Sequence, residues 1–234
     1  MKKASIQKPS SSKLTPLQMK MQKKLLGGKF RWINEKLYTS SSNDSMKMFK
    51  NDPSLFAAYH EGFSSQVQSW PKNPVEIFIE ELLGMDKRMV VADMGCGDAK
   101  VSQSCSSKHE IHSFDLVAAN SHVTVADIAK VPLSKDYADI VIFCLSLMGT
   151  NYTDFIKESH RIMKINGKLK VAEVSSRIPD LSKFQKDVEK LGFRLIRKNQ
   201  ENTHFVIFEF EKYDQNPHFI KPTGSLKPCK YKKR

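Results

Sequence analysis

Residues 90–100 read VVADMGCGDAK, and the rest of the chain is organised around that stretch. Val90, Val91 and Ala92 form an apolar run suited to a buried strand. Asp93 places an acid near the end of that run, and Gly95 and Gly97 break the chain into a tight loop before a helix can start. In an open α/β sheet, the loop leaving the carboxyl end of the first strand faces the ligand crevice. Glycines there let the backbone approach a bound molecule, because no Cβ stands in the way. The expectation is a nucleotide-type cofactor.

A dinucleotide fingerprint requires a third glycine three residues after the second, and Lys100 stands there instead. Asp93 precedes Gly95 by two, giving the order D-x-G-x-G. That order resembles motif I of the class I methyltransferases, whose cofactor, S-adenosylmethionine, has an amino-acid end, a sulfonium and an adenosine but no pyrophosphate. Alone, the pattern also fits a glycine turn between any strand and helix. The flanking segments therefore carry the argument.

Downstream, strands are predicted at 88–93, 111–115, 122–125, 138–144, 168–174, 193–198 and 204–211. Helices are predicted at 99–107, 152–163 and 180–191, with Gly167 and Gly192 as stops. The last two strands have no helix between them and should pair as an antiparallel hairpin. The result is an α/β, Rossmann-like class I methyltransferase fold: a seven-stranded, mostly parallel sheet with one reversed strand near its edge.

Upstream, four helices are predicted. Thr15 and Pro16 open the first, with Leu17, Met21 and Leu25 on one face before Gly27 and Gly28. The second, Phe30 to Leu37, ends in the polar TSSSND of 39–44. A third runs from Asp52–Pro53 through Tyr59 to Trp70, where Pro71 stops it. Asn73–Pro74 opens the fourth, whose Val75, Ile77, Phe78, Leu82 and Leu83 give an apolar face before Gly84. The expected organisation is a disordered basic tail (1–13), a helical extension packing on the core (14–86), a cofactor-binding core (87–212) and a basic tail (213–234).

The net charge of +13 lies at the two ends. Residues 1–36 hold ten Lys or Arg against Glu35 alone, and residues 221–234 hold six with no acid, which leaves 37–220 close to neutral. Basic tails on a near-neutral core point to a polyanion, RNA or DNA, and not to a membrane, since no aromatic-rich amphipathic face is evident. A solvated or nuclear-import tail would look the same. No apolar run follows MKKASIQKPSSS, so no secretory leader is expected. The apolar stretch 140–148 is too short to span a bilayer. Cys96, Cys105, Cys144 and Cys229 show no CxxC spacing, so neither a zinc site nor a disulfide framework is expected. A soluble protein of a reducing compartment fits these features.

Several residues are placed for a cofactor. Asp115 follows the second strand, twenty residues after Gly95, where an acid can accept from both ribose hydroxyls. Asp127 and Ile128, in VTVADIAKVPL (123–133), follow the third strand. There a carboxylate can accept from the adenine amino group and the next backbone N–H can meet a ring nitrogen, or Asp127 can cap a helix. Cys144 ends the fourth strand facing the crevice, as a cofactor-lining residue or simply a small apolar one.

The segments YHEGFSSQVQSWP (59–71), VVADMGCGDAK, HSFDL (112–116), FCLSLMGTNYTDFIKESHR (143–161), LKVAEVSSR (169–177) and PCKYKKR (228–234) together resemble the ribosomal RNA-processing protein 8 family. That resemblance implies methylation of N1 of an adenine in large-subunit ribosomal RNA, in the nucleolus of the nucleus, with ribosomal RNA or pre-ribosomal particles as partner. It implies cofactor contacts at His60, Gly95, Asp115, Asp127, Ile128 and Cys144, with methionine in place of Ile128 in animal members. It leaves open a binding module in ribosomal RNA processing or ribosomal DNA silencing, with nucleolar chromatin proteins as partners. Glu173, Ser175, Ser176 and Arg177, after the fifth strand, are candidates to grip the base or its phosphate, or merely to close the strand end.

Overall fold

The computed structural model describes residues 15–68, 70–215 and 225–229. The expected tail at 1–13, and most of that at 213–234, lie outside the described residues. Seven strands form one sheet: β1 (Val90–Met94), β2 (Glu110–Asp115), β3 (Val123–Val125), β4 (Ala138–Cys144), β5 (Met163–Val174), β6 (Phe193–Asn199) and β7 (Phe205–Lys212). Their order is β3-β2-β1-β4-β5-β7-β6. β1 to β5 pair in parallel, whereas β7 is antiparallel to both β5 and β6. This is the expected class I methyltransferase sheet, with its reversed strand one in from the edge.

Alternation along β4 divides its side chains between two apolar layers. Val141 and Phe143 pack with Phe155 and Ile156 of α6 (Tyr152–Ile162) and Phe184 of α7 (Leu181–Glu189). Ile140 and Ile142 pack with Phe78 and Leu82 of α4 (Pro74–Leu83) and Val101 of α5 (Lys100–Cys105). A strand covered on both faces reads as an unbroken apolar run, which is why IVIF is recognisable in the sequence. Each buried phenylalanine contributes about 3–5 kcal/mol relative to alanine. β1 pairs with β2 on one side and β4 on the other, so the crevice at their carboxyl ends is the topological switch point.

The first two expected helices are one, α1 (Pro16–Thr39), which runs straight through Gly27 and Gly28. Two glycines cost about 1 kcal/mol each in a helix interior. Against that, Thr15 and Gln18 form a reciprocal capping box with bonds of 2.8 and 3.2 Å, and Pro16 occupies the first turn. Phe30, Ile33 and Leu37 then bury one face against Phe56 and Tyr59 of α3 (Ser54–Val67). The polar stretch expected to be a terminator instead starts a helix, α2 (Ser42–Asn51): the Ser41 hydroxyl accepts from the Asp44 N–H at 3.2 Å. α3 stops at Val67, leaving Trp70 in the connection to α4.

Gly167 is not a helix stop. α6 ends at Ile162, β5 begins at Met163, and the pairing with β4 slips between Ala138↔Met163 and Ile140↔Lys168. Gly167 sits in that bulge, where a Cβ would stand 2.8 Å from the Lys164 carbonyl oxygen and 3.0 Å from that of Asp139. Gly192, at φ +90, does follow α7 as expected.

Candidate functional site

The loop after β1 packs three left-handed residues into five, Gly95 (φ 78), Gly97 (φ 58) and Ala99 (φ 57). Such a coil holds only if its amides are occupied. The N–H groups of Gly95 and Cys96 both donate to the Phe114 carbonyl, at 2.8 and 3.0 Å. The Gly97 N–H donates to Asp115 Oδ2 at 2.8 Å, and Asp115 Oδ1 accepts from the Leu116 N–H at 2.7 Å. Asp115 therefore pins the glycine loop to the end of β2.

Across the crevice, the loop after β4 is equally constrained. Leu145 takes φ 60, and its N–H donates to the Ala172 carbonyl at 2.8 Å. The Ser146 hydroxyl donates to the Met94 carbonyl at 2.5 Å. Leu147 is clamped at both backbone groups: its N–H donates to Glu173 Oε1 at 3.1 Å, and its carbonyl accepts from Arg177 Nη2 at 2.8 Å. Glu173 and Arg177 are 0 % and 2 % exposed and form an ion pair of 2.6 Å. The Arg177 guanidinium also lies 4.4 Å from the centre of the Tyr38 ring and donates through Nε to the Lys227 carbonyl.

Helices α1 to α3 lie over these loops, joined to them through Leu116, Val117 and Met148. α3 brings the His60 ring onto the glycine loop, so that a Cβ on Gly97 would meet its Cε1 at 3.0 Å. Burial pushes the His60 pKa down, partly opposed by Asp115 and Asp98, which favours a neutral imidazole. α2 is tied down by Ser42. Its hydroxyl donates to Asp127 Oδ2 at 2.7 Å and accepts from Asn151 Nδ2 at 3.0 Å.

The space between is a cavity of about 960 Å³. His60, Gly95, Asp115, Ile128 and Cys144 all line it, as do Asp93 and Ser146. Asp127 does not. Its carboxylate is turned to Ser42 and to the Ala129 N–H (2.9 Å), and the Lys130 N–H donates to the Asp127 carbonyl to close a turn over 127–130, so the helix cap considered for it is absent. Asp93 is 2 % exposed, and its carboxyl is pushed up to about 7, first by burial and then by Asp115 and Asp98. Burial also raises the Cys144 and Cys96 thiols, so both stay protonated.

Glu173, Ser175, Ser176 and Arg177 do not line the cavity. Glu173 and Arg177 instead pair with each other and hold Leu147, which fits the alternative reading that they close the strand end. Residues that the sequence reading missed include Ser42, Ser45 and Phe49 of α2, whose capping signal lay in the SSND read as a terminator, and Ser146. Trp70, expected only as a helix terminus, also lines the cavity.

A protein-family model described as "Hypothetical methyltransferase" matches residues 16–234. Ribosomal RNA-processing protein 8 of Dictyostelium discoideum is 45% identical over 99% of this chain and 63% of its own length. The 25S rRNA (adenine(645)-N(1))-methyltransferases of Schizosaccharomyces pombe and Saccharomyces cerevisiae are 46% and 43% identical over 95% and 90% of this chain. The chain spans 74% and 62% of their lengths. Among solved structures, the 1,6-didemethyltoxoflavin-N1-methyltransferase of Burkholderia thailandensis, crystallised with S-adenosylhomocysteine, superposes with a TM-score of 0.56 at 14% identity. That match covers 69% of this chain and 87% of the other, and at such identity it speaks for the fold alone. By its sheet, its glycine loop and these relatives together, the chain belongs to the ribosomal RNA-processing protein 8 family of methyltransferases.

Proposed function

We propose that the chain binds S-adenosylmethionine in this crevice and methylates N1 of an adenine in large-subunit (25S/28S-type) ribosomal RNA during ribosome biogenesis. One observation carries the reading: the glycine loop, Asp93, Asp115 and the loop after β4 enclose one cavity at the switch point of a methyltransferase sheet. The fission and budding yeast relatives, whose names state that reaction, supply the choice of acceptor.

The residues present fit the cofactor. Gly95 and Gly97 line the cavity without side chains, and a Cβ on either would meet Ser146 or His60. Asp93, buried and facing the cavity, offers a counter-charge to the cationic amino-acid end. An ionised carboxylate has about four acceptor positions, so Asp115, after two backbone bonds, retains two for ribose hydroxyls. Ile128 closes the adenine end, with Asp127 and Ser42 holding its backbone in place. The neutral His60 ring and the protonated Cys144 thiol line the cavity as walls, and methyl transfer to N1 needs no nucleophile from either.

When bound, the cofactor supplies a methyl group made electrophilic by a positively charged sulfur. Adenine N1 carries a free lone pair at neutral pH, so the chain needs no strong base. Its task is to hold N1 unpaired and in line with that methyl. The base must leave any helix it occupies, because N1 lies on the Watson–Crick edge. The Lys- and Arg-rich ends at 1–36 and 221–234 suit the phosphates of that RNA, and pre-ribosomal particles in the nucleolus are the setting. No helix among the described residues is long and apolar enough to cross a membrane.

Titration calorimetry with S-adenosylhomocysteine tests the cofactor assignment. Asp115→Ala should weaken binding by about 1–3 kcal/mol, whereas a folded variant that binds like the wild type would remove Asp115 from the site.

A further inference from the structure

We propose that Trp70 is the platform on which the acceptor base stacks, so that the end of the cavity away from Ile128 is a subsite for an unpaired adenine; this rests on the methyltransferase reading above. One cavity is lined by Asp115 and Ile128, from the ends of β2 and β3, by Cys144 and Ser146, after β4, and by Trp70, Asn73 and Glu76, from the connection into α4. By the strands they adjoin, Asp115 and Ile128 mark one end of it and Trp70 the other.

The sheet order places these ends on opposite sides of the switch point. β2 and β3 flank β1, whereas Phe205 opens β7 beside Val174 at the end of β5. Trp70 is fixed on that second side, with its ring 6.0 Å from Phe205 at 27° and 5.5 Å from His204 at 35°. It remains only half-buried and faces the cavity. An indole packed against neighbouring rings and lining a cavity has the form of the surfaces that receive an extruded base.

The chemistry of the acceptor favours such a surface. As the N1–methyl bond forms from the N1 lone pair, the bond from sulfur to that carbon breaks and its electrons remain on sulfur. No proton is released, and the adenine becomes a cation. The negative face of an indole attracts that growing charge, so a stacked Trp70 binds the transferring base more strongly than the neutral one. Glu76, at the same end, adds a carboxylate of the favourable sign.

The chain has two tryptophans, so Trp32→Phe leaves Trp70 as the sole indole emitter. The probe is an RNA hairpin with an oligouridine loop carrying one adenine, added to that protein already saturated with S-adenosylhomocysteine; the control is the all-uridine loop. Trp70 emission should be quenched by the adenine hairpin well beyond the control. In methyl transfer to the same hairpin, Trp70→Ala should lower kcat/KM roughly tenfold or more, Trp70→Phe should recover most of it, and adenosylhomocysteine affinity should stay within about twofold of wild type, since no cofactor contact is lost. Equal quenching by the two hairpins overturns the proposal, as does wild-type kcat/KM in a folded Trp70→Ala protein. If Trp70→Ala does not fold, the quenching comparison on intact Trp70 still decides. Absence of any methyl transfer by the wild-type chain would count against the enzymatic reading, while adenine-specific quenching would still establish the stacking site.

Discussion

A Cβ placed on Gly95 would stand 2.4 Å from the Cβ of Ser146. The loop after β1 and the loop after β4 thus interlock, and the Ser146 hydroxyl bonds back to the carbonyl of Met94, immediately before Gly95. Gly95 was read from the sequence as space for a ligand. The structure gives it a second duty, as the place where two strand ends touch.

Gly95→Ala should therefore be costly even though alanine is small. The left-handed backbone alone disfavours it by about 1–2 kcal/mol, and Ser146 must move in addition. Both thermal stability and adenosylhomocysteine affinity should fall. Adding Ser146→Gly should restore part of the loss, leaving the backbone component, and a double-mutant cycle measures this. Strictly additive effects would show that the two loops are not coupled.

Cofactor affinity should depend on pH through Asp93. Its carboxyl, ordinarily near 3.8, is raised to about 7 in the folded chain. An acid raised on folding binds more protons in the native than in the unfolded state, so stability falls as pH rises from near 4 to about 7 and levels beyond. A cationic ligand end favours the ionised carboxylate, so affinity moves the other way: it should rise up to about pH 7 and then flatten. The raised Asp115 carboxyl acts in the same direction, and the lowered His60 favours a neutral ring at the upper end of this range. Calorimetry across this range should show the rise in wild type and a weaker, flatter profile in Asp93→Asn. An affinity that falls toward neutrality would contradict the assignment.

Glu173→Gln or Arg177→Met should destabilise the protein by about 3–5 kcal/mol, because each strands a buried partner. The double replacement should recover part of that stability. It should still loosen Leu147, whose N–H and carbonyl are both held by the pair, and so lower the rate of transfer. Thermal melts distinguish this from a direct grip on the acceptor, which predicts lost RNA affinity at an unchanged melting temperature.

What the sequence made legible was mostly local. The glycine loop, Asp93 and the strand before it are covalent neighbours, and an apolar run between turn residues announces a buried strand without reference to the rest of the fold. Asp115 was found because the distance between successive strand ends is nearly fixed by one helix and two turns. His60 was different: α3 carries it to Gly97 only because α1 and α3 pack through Phe30 and Tyr59, whose rings are 5.8 Å apart, and only the family resemblance pointed to it. Glu173 and Arg177 misled because two charged residues at a strand end look exposed, and their burial depends on Leu147, Tyr38 and Lys227 arriving from three other segments. α2 was missed for its polar composition, although Ser41 and Asp44 were its start signal.

Adenine N1 methylation by this crevice is read out by nucleoside mass spectrometry. Large-subunit RNA is compared from cells carrying the wild-type chain as the only copy and from cells carrying Gly95→Arg alone, a variant first shown to be folded and unable to bind S-adenosylmethionine. N1-methyladenine should be present in the first RNA and absent from the second. An unchanged level of the mark in the second would mean that another enzyme makes it, and the chain would then be a methyltransferase fold used for binding.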